Sequence, residues 1–270
     1  MSYYTSLSGL KNAQTELNVI SNNLANAETA GFKKSNVNFS DIVGGSTYTN
    51  AKTQVGLGSV TQQIDQDFSN GNQNATGSAL DLMINGNGFF TVNNPATGQM
   101  MYTRNGNFHT DGTGNIIDSD NNNVQVMAYD ATTGTYAATP SNAVLPTTNA
   151  AGAGYSNVQV LADGQVVAGY KDGSTTVIGK IAIANFVSPT GLQQMGSQRW
   201  EVTGLSGPAT YGVPQADNNG SILSATLETS NVDTATEMVG LITAQRYFQA
   251  NAKAIDTNTQ ISDAVINLRS

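Results

Sequence analysis

Near the start of the chain, apolar residues recur at steps of three and four: Leu10, Ala13, Leu17, Ile20 and Leu24. This spacing places side chains along one stripe of a helix, and Lys11, Asn12, Glu16 and Asn22 fall on the other face. The pattern stops over Ala27 to Gly31, where Gly31 reads as the helix stop. The far end of the chain mirrors this. Met238, Leu241, Gln245, Phe248, Ala252 and Ile255 keep heptad spacing, and after a slip Ile261, Val265 and Leu268 resume it. Ser230, Asn231 and Asp233 are the candidate caps of that second helix, with Glu237 in its first turns.

Between the two stripes the period changes to two. Leu80, Leu82 and Ile84 alternate with Asp81 and Met83, and Val124, Val126 and Ala128 alternate likewise. Val158 and Val160 lead through Asp163-Gly164 into Val166-Val167, a hairpin signature. Asn85-Gly86, Asn105-Gly106, Asp111-Gly112, Asp172-Gly173 and Asn219-Gly220 mark further turns. Residues 131–157, rich in Thr, Ala, Gly and Asn, read as a loop where an insertion could sit.

These patterns predict a mixed α and β protein. Discontinuous N- and C-terminal helices, residues 1–30 and 235–270, form a coiled-coil-like assembly domain around an all-β body. Residues 31–70 and 220–234 connect the two, and residues 71–219 form a β-rich wall domain with the short loop at 131–157. A short helix with an apolar stripe is marginal alone, because nucleation is costly and packing supplies most helix stability. The two stripes therefore need each other or other subunits.

Composition narrows the function. No cysteine is present, which removes disulfides, thiolate metal sites and cysteine nucleophiles. A formal charge of −8 argues against a nucleic-acid partner, since that affinity comes mostly from Lys and Arg on phosphates. Only 11% of residues are charged, a surface suited to packing against many copies of itself. The start lacks a basic segment followed by an apolar run, so no cleaved secretory signal is expected. No stretch approaches the roughly 20 apolar residues of a membrane helix, so membrane insertion is not expected.

Candidate chemistry is thin. His109 is the single histidine, which rules out a multi-histidine metal site within one chain, and it reads as a turn-flanking surface residue. Asp118-Ser-Asp120-Asn-Asn122 opens like a calcium loop, but Asn123 stands where glycine is wanted and Tyr129 where the bidentate acid is wanted. The glycine pairs Gly56/Gly58, Gly86/Gly88 and Gly112/Gly114 do not extend to a dinucleotide fingerprint. Asp65 and Asp67 share a face of a strand-like segment and read as a solvated edge, and Trp200 as a core anchor. No catalytic, cofactor-binding or metal residues are expected, and the chain does not read as an enzyme.

Ser8-Gly-Leu10, the run Leu17-Asn-Val-Ile-Ser-Asn-Asn-Leu-Ala-Asn-Ala27 and Thr29-Ala-Gly-Phe-Lys33 resemble the N-terminal signature of bacterial flagellar rod and hook proteins. Leu227-Glu-Thr-Ser-Asn-Val-Asp233, then Glu237 through Asn251 and the closing Asn267-Leu-Arg269, are similar to their C-terminal signature. Gly77 through Phe90 and Tyr102 through Phe108 resemble their inner β domain, so the resemblance spans nearly the whole chain. Val177 through Phe186, with Gly191-Leu192, Gly196 and Trp200 after it, and Val55-Gly-Leu-Gly58 ahead of Thr61, look closer to hook than to rod proteins. As a hook protein the chain is unusually short, residues 131–157 standing where most of an outer domain is missing.

The resemblance implies a subunit that self-assembles into the tubular flagellar hook, transmitting torque between rod and filament and enclosing the export channel. The terminal helices pair coaxially inside the β wall, and Leu10, Leu17, Ile20, Leu24, Leu241, Phe248, Ile255, Val265 and Leu268 are the expected assembly interface. Expected partners are further copies in a helical homopolymer, the neighbouring axial proteins (distal rod, hook-filament junction, hook cap) and the flagellar export apparatus. The expected location is the extracellular hook or basal body. The alternatives are a distal rod protein of the basal body and, from another class, a secreted β-rich binding module.

Overall fold

A computed structural model describes residues 2–43, 56–216 and 218–267. These fall into two compact units: residues 1–27, 34–67 and 232–270, and residues 28–33 with 68–231. Leu268, counted in the expected interface, and Val55 lie outside the described residues.

The first unit holds a helix at each end of the chain, α1 (Ser2–Ala25) and α2 (Thr234–Asn267), and an antiparallel pair of strands, β1 (Ser35–Val43) and β2 (Gly56–Gln66). Of the three candidate caps, Asp233 starts α2. Its carboxylate accepts the Thr236 N–H at 2.8 Å and its carbonyl accepts that of Glu237, satisfying donors a helix start leaves open. The Thr236 backbone N–H foremost, and its side chain, hold the Asp233 carboxyl below its usual range. The ends of the strand pair are tied by the Asp67 N–H on the Lys34 carbonyl and by an ion pair between their side chains at 3.7 Å.

The second unit is the β-rich body. Its main sheet is antiparallel, with neighbouring strands in the order 155–160, 165–170, 175–181, 123–130, 89–93, 100–103, 199–201 and 193–196. The expected hairpin at Asp163-Gly164 joins the first two of these. Leu82, Ile84, Phe90, Val92, Val124, Val126, Ile181, Ile183 and Ile222 close one core. Trp200 packs edge-on against Phe68 and Phe89 in a second cluster.

Residues 131–157 are not the loop that their composition suggested. Thr135–Asn142 is a strand paired with Asn123–Asp130, and Ala143 and Leu145 after it are buried in the core. The hydrogen-bonding edge of Asn123–Asp130 fixes this strand, so it forms with few large apolar side chains of its own.

Gly31 does not cap α1, which ends at Ala25. It has φ +69, a Cβ there would lie 2.5 Å from the Asn105 nitrogen, and its N–H bonds to the Glu228 carbonyl at 2.8 Å. Glycine is needed for that close approach. Two residues on, Lys33 is sealed in the same unit. Its ammonium donates to Glu228 Oε1 and to the Ser69 carbonyl, both at 2.7 Å. The Gly71 N–H also bonds to Oε1, and Arg104 faces Oε2 at 3.7 Å. Arg104 in turn donates to the Ile84 and Gly86 carbonyls and lies over the Phe89 ring. All three charged residues are at most 2% exposed. This clasp joins the segment that follows α1 to the segment that precedes α2.

Candidate assembly interface

Three facing pairs set the register of α1 on α2: a Cβ on Gly9 would meet the Asn251 side chain, one on Gly240 would meet Ile20, and Asn23 Nδ2 donates to Glu237 Oε2. In each pair the residue numbers add to 260, so the helices run antiparallel. Glycine at Gly9 and Gly240 lets the backbones approach closely, and Ala13, Ile20 and Ala244 are buried in the seam. Leu241, Phe248 and Ile255 are part-buried, in step at heptad spacing with Glu237, Ala244 and Asn251. Met238 and Gln245, placed on the stripe by sequence, are exposed instead. The small and polar positions 237, 244 and 251, which carry no apolar signal, complete the seam.

Leu10, Leu17 and Leu24 flank the seam and are half-buried. The α1 face toward the strands is polar: Asn12 donates to Ser59 at 2.7 Å, and Asn23 exchanges two 2.9 Å bonds with the Ser35 backbone. By the same register Ser2 lies opposite Asn258, so residues 259–267 run past the first described residue of α1. All of them are exposed, Ile261, Val265 and Ile266 included. Exposed apolar residues also dot the strand pair (Ile42, Val43, Leu57, Val60, Ile64) and the start of α2 (Met238, Val239, Ile242).

Glu16 lines a cavity of about 240 Å³ between α1, β1 and α2, together with Ile20, Asn23 and Glu237. Burial pushes its pKa above the ordinary 4.5. A carboxyl raised in the folded state stabilises it fully below the unfolded value, and that stability is lost as pH rises through the folded value. Helix pairing should therefore weaken as pH rises from 4.5 through the raised folded value, and Glu16→Gln should flatten that dependence. Thermal melts followed by helical circular dichroism between pH 4 and 7 test this; equal pH slopes in the two proteins would refute it.

His109 is exposed on a two-residue strand paired with Ile116–Ile117. Asp118 accepts from the Asn122 backbone and side chain, and both Asp118 and Asp120 pair with Arg199. Asp81, missed as a structural residue, is buried and bonded to Thr76 and Asn107. In the β-rich unit a cavity of about 430 Å³ is lined by Phe68, Phe89, Phe186, Tyr211, Arg104, Thr210 and side-chain amides. Among the described residues no three His, Asp or Glu side chains gather as a metal site, and no helix is long and apolar enough to cross a membrane.

Three family models match the chain: the flagellar hook protein FlgE/F/G D1 domain over residues 83–168, the flagellar basal body rod FlgEFG protein C-terminal region over 223–268, and the flagella basal body rod protein over 4–33. Among curated relatives, the flagellar basal-body rod protein FlgG of Bacillus subtilis is 37% identical over 99% of this chain and 98% of its own length. FlgG of Caulobacter vibrioides is 34% identical over 98% of each. The flagellar hook protein FlgE of Salmonella typhimurium is 27% identical across the whole of both chains, in an alignment of 411 positions.

Proposed function

Because the chain belongs to the family of flagellar rod and hook proteins, we propose that its copies stack helically into a hollow axial tube that transmits torque and encloses the export channel. One observation carries this reading: the helical unit leaves residues 259–267 of α2 and the apolar residues of β1, β2 and the start of α2 in solvent. Head-to-tail contacts that do not close into a ring bury such surface in an open helical array. The role is passive, as for the structural relatives, and the terminal helices supply axial contacts while the β-rich unit supplies lateral ones.

Within the flagellum we propose the hook, on the hook-like residues Val177–Phe186 and Gly56–Gly58, with distal rod, hook cap and hook-filament junction as neighbours and delivery by the export apparatus. The distal rod is the second reading. It is favoured by the rod relatives, which match this chain nearly end to end, whereas the hook alignment spans 411 positions against the 270 residues here. Complementation separates the two. The gene should restore motility to a strain lacking its hook gene and leave a strain lacking its distal rod gene non-motile; the reverse pattern overturns the hook assignment in favour of the rod.

A further inference from the structure

The exposed surface of α2 outside the seam carries an ordered sequence of charge. Arg246 and Lys253 stand seven residues apart, as do Asp256 and Asp263, and no other charged residue lies between positions 238 and 267. Seven residues is about two turns, so each pair lies within ~20° of one line along the helix. All four residues are exposed, and none takes part in an ion pair among the described residues. The helix therefore offers a basic middle and an acidic end with the same internal spacing, the two lines lying about 80° apart around the axis.

A single straight helix cannot fold its acidic end back onto its basic middle, whereas a second copy of the same helix can meet both pairs at once. We propose that Asp256 and Asp263 dock against Arg246 and Lys253 of α2 in a second copy, the two helices parallel and staggered by ten residues. The stagger follows from the numbers: 256 to 246 and 263 to 253 are both ten, about 15 Å along the axis. An antiparallel match also exists, pairing 256 with 253 and 263 with 246, but it closes into a two-fold dimer. The parallel match leaves a basic segment free on one end copy and an acidic segment free on the other, so it propagates. This inference rests on the tube reading above and assigns one of its contacts. The contact sits on the exposed face of α2, so it steers register and orientation more than it adds affinity.

The test uses charge reversal in the full chain. Asp256→Lys with Asp263→Lys, and separately Arg246→Glu with Lys253→Glu, should each remain folded by circular dichroism and each polymerise at least tenfold less than wild type in sedimentation. Mixed one to one, they should polymerise together, since the basic variant then meets the acidic one. Any pairing of Lys253 with Asp256 inside one helix stays broken in that mixture, so recovery reports contacts between copies alone. The chain has no cysteine, so Arg246→Cys with Asp256→Cys should give a ladder of oxidised oligomers. Normal polymerisation of either variant alone, a mixture that stays soluble, or cysteines that do not cross-link would overturn the contact while wild type still polymerises. A wild type that never polymerises overturns the tube reading and this contact with it.

Discussion

Alanine at Glu228 is expected to lower the stability of the β-rich unit by about 3–5 kcal/mol, the usual cost of breaking a buried ion pair from one side. The carboxylate has no exposed surface, and neither has its partner Lys33 at 2.7 Å. Its removal takes the carboxylate from the buried Lys33 ammonium and leaves Arg104 beside it without a counter-charge. Burial already pushes the Arg104 pKa down, opposed by the Glu228 charge, so losing that charge makes the guanidinium costlier still. Lys33→Met alone should destabilise for the same reason in reverse, because the buried carboxylate then keeps only the Gly71 N–H and Arg104. The double change Lys33→Met with Glu228→Leu should recover much of the loss, since apolar replacement of both partners removes the desolvation problem. Urea unfolding of the three variants decides it. A loss under 1 kcal/mol for Glu228→Ala, or a double variant as unstable as the sum of the singles, would show that the clasp contributes little.

The clasp was not legible in the sequence as an ion pair, although both of its halves lie in stretches that resembled the family. Lys33 and Glu228 are 195 residues apart, and nothing in either local pattern says that a lysine goes inside. The helices were legible because their periodicity is local: Leu241, Phe248 and Ile255 fall on the part-buried side of α2. Met238 and Gln245 were misplaced because heptad spacing fixes one row of a helix face but not its neighbour, and the neighbouring row is Glu237, Ala244 and Asn251. The strand Thr135–Asn142 was invisible for a related reason, its edge being specified by Asn123–Asp130 and not by its own residues. The Asp163-Gly164 hairpin was readable because turn chemistry and alternation agree within a dozen positions.

Aspartate at Ala244 is expected to abolish polymerisation and leave the β-rich unit folded. Ala244 has no exposed surface, and it sits in the seam between the facing pairs Gly240–Ile20 and Asn251–Gly9. A carboxylate there is both too large for the close approach of the helices and without a cation, since the titratable group in the adjoining cavity is the acid Glu16 beside Glu237. Burying an unpaired charge costs several kcal/mol, more than a pair of helices held by a narrow seam can offset. Because the same helices carry the exposed stripes proposed to join copies, opening the pair removes that surface in every subunit at once. Leu17→Asp and Leu241→Asp should act in the same direction but less completely, as both positions are only half-buried. Met238→Asp, on the exposed side, should leave the pair intact. The expected observation for Ala244→Asp is a soluble protein with unchanged β signature in circular dichroism, reduced helical signal and no sedimenting polymer. Polymerisation at the wild-type level would remove the seam from the assembly mechanism, and simultaneous loss of the β signature would show that the two units do not fold separately.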